Sequence, residues 1–113
     1  MPSPQGFAVE VSDPEGDPVR IQVRGELDLS AAPLLTDAVR GVSGEGATVL
    51  LDLSGVTFLD SSAIGAMVAS GRELAEAGGR LQIGPRSDIV TRVLEMTGLH
   101  EPSEAFDVLA EDV

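Results

Sequence analysis

With 113 residues, 42% of them apolar, the chain is long enough for one packed domain and too short for two. Its net charge of −12 sets nineteen acids against seven basic residues, all arginine; this opposes binding to nucleic acid and to anionic membranes, and the lack of lysine removes any phosphate-cradling loop that needs one. The lack of cysteine excludes disulfides and thiolate metal sites, and no apolar run approaches the ~20 residues that span a bilayer, so a cytoplasmic protein is expected.

Phe7, Val9 and Val11 alternate with Ala8, Glu10 and Ser12, and Val19, Ile21 and Val23 alternate with Arg20, Gln22 and Arg24. That is the period-2 pattern of half-buried strands, and the turn-rich Asp13-Pro14-Glu15-Gly16-Asp17-Pro18 between them predicts an antiparallel hairpin at a sheet edge. After Gly25-Glu26-Leu27-Asp28-Leu29-Ser30, the residues Leu34, Leu35, Ala38, Val39 and Val42 recur at helical spacing, with Pro33 in the first turn and Ser43-Gly44-Glu45-Gly46 as the stop. Ala47 to Leu53 is almost continuously apolar, as a central strand covered on both faces would be. A second helix is expected from Asp60 or Ser61 to about Ala77, with Ile64, Met67, Val68, Gly71, Leu74 and Ala75 on one stripe and Gly78-Gly79 ending it.

Leu81 and Ile83 mark a short strand. Pro85-Arg86-Ser87 then opens a third helix with Ile89, Val90, Val93 and Leu94 inward, ending near Gly98. Glu104 to Leu109 can hold a short last strand, a helical turn, or both. Strands separated by single helices imply right-handed crossovers and a largely parallel inner sheet. The expectation is an α/β fold: one domain over 1–113, a mixed β-sheet with an N-terminal antiparallel hairpin edge, helices packed against it, and short flexible ends at about 1–5 and 110–113.

The chemistry concentrates at Val56-Thr57-Phe58-Leu59-Asp60-Ser61-Ser62-Ala63-Ile64-Gly65, where an Asp-Ser-Ser step separates a strand-like from a helical run. A serine at a helix N-terminus can cap the exposed backbone N–H groups or carry a phosphate beside the positive end of the dipole. Catalytic readings are poor. His100 is the one histidine and no glycine-bracketed nucleophile motif surrounds Ser61. Glu26, Asp28 and Asp60 could meet at one end of the sheet, but a hard cation needs more ligands than that spacing guarantees. No enzyme activity, cofactor or metal is expected.

Gly25-Glu26-Leu27-Asp28, together with Leu51 to Gly65 and Met96-Thr97-Gly98-Leu99, closely resembles the anti-sigma-factor antagonists, the stand-alone STAS domains of bacteria. The likeness covers essentially the whole chain, and its Asp-Ser-Ser segment is the specific part. It implies that Ser61, rather than Ser62, is phosphorylated by an anti-sigma factor that is also a serine kinase. It further implies that the unphosphorylated protein binds that kinase and frees the sigma factor, and that a serine phosphatase restores Ser61. By position, Asp28, Ser30, Asp60, Ser62, Ala63, Ile64 and Met67 would form the docking surface. Ala63 stands where the family usually has glycine. The rival implication is a non-phosphorylated STAS subunit of another assembly, in lipid transport or a signalling scaffold, with Ser61 only a cap.

Overall fold

Alternation builds the first two strands of the computed structural model, which describes residues 6–42, 44, 46–101 and 103–110. In β1 (Phe7–Asp13) and β2 (Val19–Leu27), Phe7, Val19, Ile21 and Val23 are buried while Glu10, Arg20 and Arg24 face water. The two pair antiparallel, from Phe7 opposite Gly25 to Val11 opposite Ile21. At Gly25 the backbone has φ +93°, and a Cβ there would lie 1.4 Å from the Gly6 carbonyl oxygen, so only glycine fits.

The chain continues through α1 (Ala32–Val42), β3 (Thr48–Leu59), α2 (Ser61–Glu76), β4 (Arg80–Arg86), α3 (Asp88–Thr97) and β5 (Asp107–Val108). The sheet order is β1-β2-β3-β4-β5, and every pair after the first is parallel. The expected mixed sheet with an antiparallel hairpin edge is thus present. One apolar cluster joins Ile21, Leu51 and Ile83 of the sheet to Leu35 of α1, Met67 of α2 and Leu94 of α3. Of the loose ends expected at about 1–5 and 110–113, residues 1–5 and 111–113 lie outside the described residues, as do Ser43 and Glu45 of the stop after α1. Among the described residues no helix is long and apolar enough to cross a membrane.

Three local expectations change. First, β3 does not end at Leu53 but runs on to Leu59. Asp52 Oδ1 accepts from the Ser54 N–H (3.0 Å) and hydroxyl (2.7 Å), and the pairing steps from Gln22–Asp52 to Arg24–Gly55. This bulge breaks the sequence period and re-aims the strand, so that Val56 and Leu59 are buried beyond it. Second, Pro85 lies inside β4 and does not open a helix. It occupies the irregular step between the Leu51–Ile83 and Leu53–Arg86 pairs, where a missing N–H breaks no regular ladder. Ser87 is the residue that precedes α3.

Third, Ala75 is exposed, and the polar Ser70 takes a buried place on α2 instead. Beside Ser70, Gly71 is where the segment before β5 crosses α2, and a Cβ there would lie 1.8 Å from the Ala105 carbonyl oxygen. Ala105 and Phe106 are consequently buried against the helix. Arg80 ties this segment down, donating to the carbonyls of Ser103 (2.7 Å) and Glu104 (2.9 Å) and to both Asp107 carboxylate oxygens (2.8 and 2.9 Å).

Candidate functional site

Parallel pairing of β2 with β3 brings two loops together. Leu27 lies opposite Leu59, and the Asp60 N–H donates to the Leu27 carbonyl at 3.4 Å, so both strands end side by side and both hand over to helices. Loops at the carboxyl ends of parallel strands are a common place for recognition in open α/β sheets.

In the first loop Asp28 is the organiser. Its Oδ1 accepts from the Ser30 hydroxyl (2.8 Å) and from the N–H groups of Ser30 (3.1 Å) and Ala31 (3.1 Å), while its carbonyl accepts from Ala31 and Ala32. The Ser30 hydroxyl bond holds the Asp28 carboxyl below the usual carboxylate range, assisted by the backbone donors and opposed by partial desolvation. Ser30 is exposed, with its hydroxyl engaged in this turn.

In the second loop Asp60 takes the cap. Its backbone is extended and its Oδ1 accepts from the Ala63 N–H at 3.1 Å. Asp60 is therefore the N-cap of α2, and Ser61 is not. Ser61, the first residue of α2, is exposed, and among the described residues its hydroxyl makes no hydrogen bond. Ser62 is half-buried and lines a shallow groove of about 360 Å³ between α1 and α2, together with Ala32, Thr36 and Ala66. Across the two helices, Arg40 grips Glu73 with two hydrogen bonds of 3.0 Å.

Two of the residues expected to dock a partner are turned inward. Ala63 and Met67 have 0% exposure, because residues 63, 67, 70 and 74 form the face of α2 that packs on the sheet. They cannot offer side chains to a partner, and the methyl of Ala63 fills core space without crowding the surface. Ile64 is half-buried against the core, and Asp28, Ser30, Asp60, Ser61 and Ser62 reach the surface to differing degrees.

The remaining candidates do not join the site. His100 Nδ1 lies 3.4 Å from the Leu94 carbonyl at the end of α3, and no hydrogen bond among the described residues links it to either serine. Glu26, Asp28 and Asp60 do not form a metal-ligating group among the described residues. Two features escaped the sequence: Leu29 and Phe58 are 72% and 48% exposed, one in the Asp28 loop and one two residues before Asp60. An apolar residue within or next to a strand reads as core, and Leu29 even continues the alternation of the buried Val23 and Leu27, so no signal in the sequence marks its exposure.

A five-stranded mixed sheet whose parallel strands β2 and β3 end side by side, one in the Asp28 turn before α1 and the other in the Asp60 cap of α2, defines a small α/β domain. The chain belongs to the STAS family, since the family model described as "Mlab, STAS domain" matches residues 12–110. It is similar to the anti-sigma-B factor antagonist of Listeria monocytogenes, with 30% identity over 106 residues and 93% of each chain covered. Among solved structures it is similar to an anti-sigma factor antagonist from Mycobacterium paratuberculosis (26% identity, TM-score 0.75, 96% of this chain and 89% of that one). It is also similar to the Bacillus cell fate determinant SpoIIAA in its phosphorylated form (25% identity, TM-score 0.62, 94% and 93% covered).

Proposed function

We propose that the protein is an anti-sigma factor antagonist switched by phosphorylation of Ser61. Unmodified, it binds an anti-sigma factor that is also a serine kinase, and the sigma factor held there is freed. Transfer of the ATP γ-phosphoryl group to Ser61 Oγ, with ADP as the leaving group and the hydroxyl proton released, frees the antagonist from the kinase, and a serine phosphatase restores the hydroxyl by hydrolysis to inorganic phosphate. The observation that carries this reading is the division of labour at the start of α2. Asp60 supplies the cap, which leaves at the helix mouth an exposed serine hydroxyl that makes no hydrogen bond among the described residues.

The same geometry supports switching without refolding. A phosphate adds roughly −1.5 to −2 charges at neutral pH, and a helix N-terminus with its unpaired N–H groups tolerates an anion. The added charge stands next to Asp60 and in the loop pair that carries Asp28. A partner that approaches this acidic end must then desolvate a hydrated dianion, and docking is opposed by charge and bulk at a surface already formed.

Incubation with ATP and the anti-sigma factor kinases of the source organism, followed by intact-mass measurement and peptide mapping, tests the proposal. One phosphate on Ser61 is expected. Phosphate on Ser62 alone, or none with any kinase, would defeat it. Ser61→Ala should bind the kinase constitutively and Ser61→Asp poorly, with both melting within a few degrees of the parent; tight binding by Ser61→Asp would rule out exclusion by charge.

A further inference from the structure

The tripeptide Asp-Leu-Ser occurs at Asp28-Leu29-Ser30 and again at Asp52-Leu53-Ser54, and it makes the same turn both times. In each, the aspartate Oδ1 accepts from the serine N–H (3.1 and 3.0 Å) and from the serine hydroxyl (2.8 and 2.7 Å). The leucines have opposite fates: Leu53 is fully buried, whereas Leu29 is 72% exposed. A turn pinned by three hydrogen bonds to one carboxylate thus holds an aliphatic side chain out in water.

Leu29 lines the groove between α1 and α2, whose other walls include the small residues Ala32 and Ala66, and Ser62 makes the groove continuous with the Ser61 end of α2. Its charge is one-sided. Asp37 lines it and Asp28 adjoins Leu29, while the arginine at its wall, Arg40, is held by Glu73 through both guanidinium contacts. Exposure alone does not mark the place, because Met96 is 77% exposed near the end of α3 and is not among the residues that line this groove.

We infer that Leu29 and this groove form a docking surface for a basic amphipathic segment of the partner, with Leu29 as the apolar anchor that sets partner specificity. The inference rests on the function proposed above, which makes that partner the anti-sigma factor kinase. Charge selects the occupant: a second copy of this chain, at −12, a phosphate backbone and an anionic membrane would each be repelled, whereas arginine and lysine side chains complement Asp28 and Asp37. A partly exposed aliphatic side chain on a rigid turn loses little conformational freedom when it is covered, which favours its use as an anchor.

The test uses the full chain and the source organism's anti-sigma factor kinase that phosphorylates it, with affinity measured by calorimetry. Leu29→Ala should weaken binding by about tenfold or more, and Leu29→Met should recover most of that loss. Ala66→Gln, which fills the groove from the helix side, should weaken binding without touching Leu29. Met96→Ala should bind as the parent does, and all four variants should melt within a few degrees of it.

Parent-like affinity in both Leu29→Ala and Ala66→Gln would overturn the inference and leave the Ser61 switch standing, because phosphate would still reach Ser61. Binding of the parent by none of the kinases would defeat the functional reading and this inference together. Self-association of the parent that Leu29→Ala abolishes would also overturn it, by making a second copy the occupant.

Discussion

Asp60 and Ser61 are neighbours with separable tasks, and substitutions should separate them. Asp60→Ala removes the acceptor of the Ala63 N–H and should cost ~0.5–2 kcal/mol of stability. Ser61→Ala removes a hydroxyl without a hydrogen bond among the described residues and should change stability by no more than about 0.5 kcal/mol. Urea unfolding of both variants gives the comparison. Equal losses would mean that Ser61 shares the cap and that its hydroxyl is not available for modification.

At Ala63 the type of side chain says little about its direction. Ala63 follows two serines that reach the surface, and one residue further along the helix the side chain enters the core. Its place opposite the sheet follows from the 100° step of an α-helix once α2 has docked. Motif position alone therefore could not separate Ala63 and Met67, which face the core, from the neighbouring serines that reach the surface.

At the scale of elements, the last segment depends on α2 and β4 more than on itself. β5 has two residues, so its hydrogen bonds cannot hold it alone; the Gly71 crossing and the Arg80 clamp do that work. Gly71→Ala would press a methyl onto the Ala105 carbonyl and should cost ~1–3 kcal/mol, although alanine is the better helix former. Hydrogen exchange should show the loss first between Ala105 and Leu109. A stability equal to or above the parent's would mean that this segment can move away at no cost.

Arg80 also gives the segment a pH dependence. Its hydrogen bond to Asp107 holds that carboxyl below the ordinary value, with the ionic attraction adding and desolvation opposing. A carboxyl whose folded value is depressed stabilises the fold above its unfolded pKa of about 4 and loses that contribution as pH falls through the folded value. The stability gap between the parent and Asp107→Asn should accordingly be present at neutral pH and close on acidification below about pH 4. The pair is partly exposed and screened by solvent, so the gap is expected to be small. A gap that widened in acid would reverse the assignment.

Over the whole molecule, the charge of −12 selects against polyanions and favours a basic partner. Binding of the anti-sigma factor should weaken as salt rises from about 50 to 500 mM, because the screening length shortens to a few ångströms. DNA should not be retained at physiological ionic strength, since there is no basic stripe to displace its counterions. Salt-independent association with the partner would point to an interface carried by apolar contact alone, and Leu29 would then outweigh Asp28 and Asp37.

By itself the sequence determined the order of elements as far as α3, the antiparallel first pair, the largely parallel inner sheet and the place of Asp60-Ser61-Ser62 between a strand and a helix. These follow from period, turn residues and caps, which act over a few neighbouring residues. The choice of a strand for Asp107–Val108 came from the fold. Tertiary structure decided the features that depend on what lies across a gap. It carried β3 past Leu53 because β2 supplied partners on the far side of a bulge, placed Pro85 in a strand, and turned Ala63 and Met67 inward. It also gave one tripeptide two outcomes, with Leu53 in the core and Leu29 in water. The hydrogen bonds of an Asp-Leu-Ser turn are local and alike in both copies, whereas burial is settled by which elements pack over the leucine, and nothing within three residues specifies that.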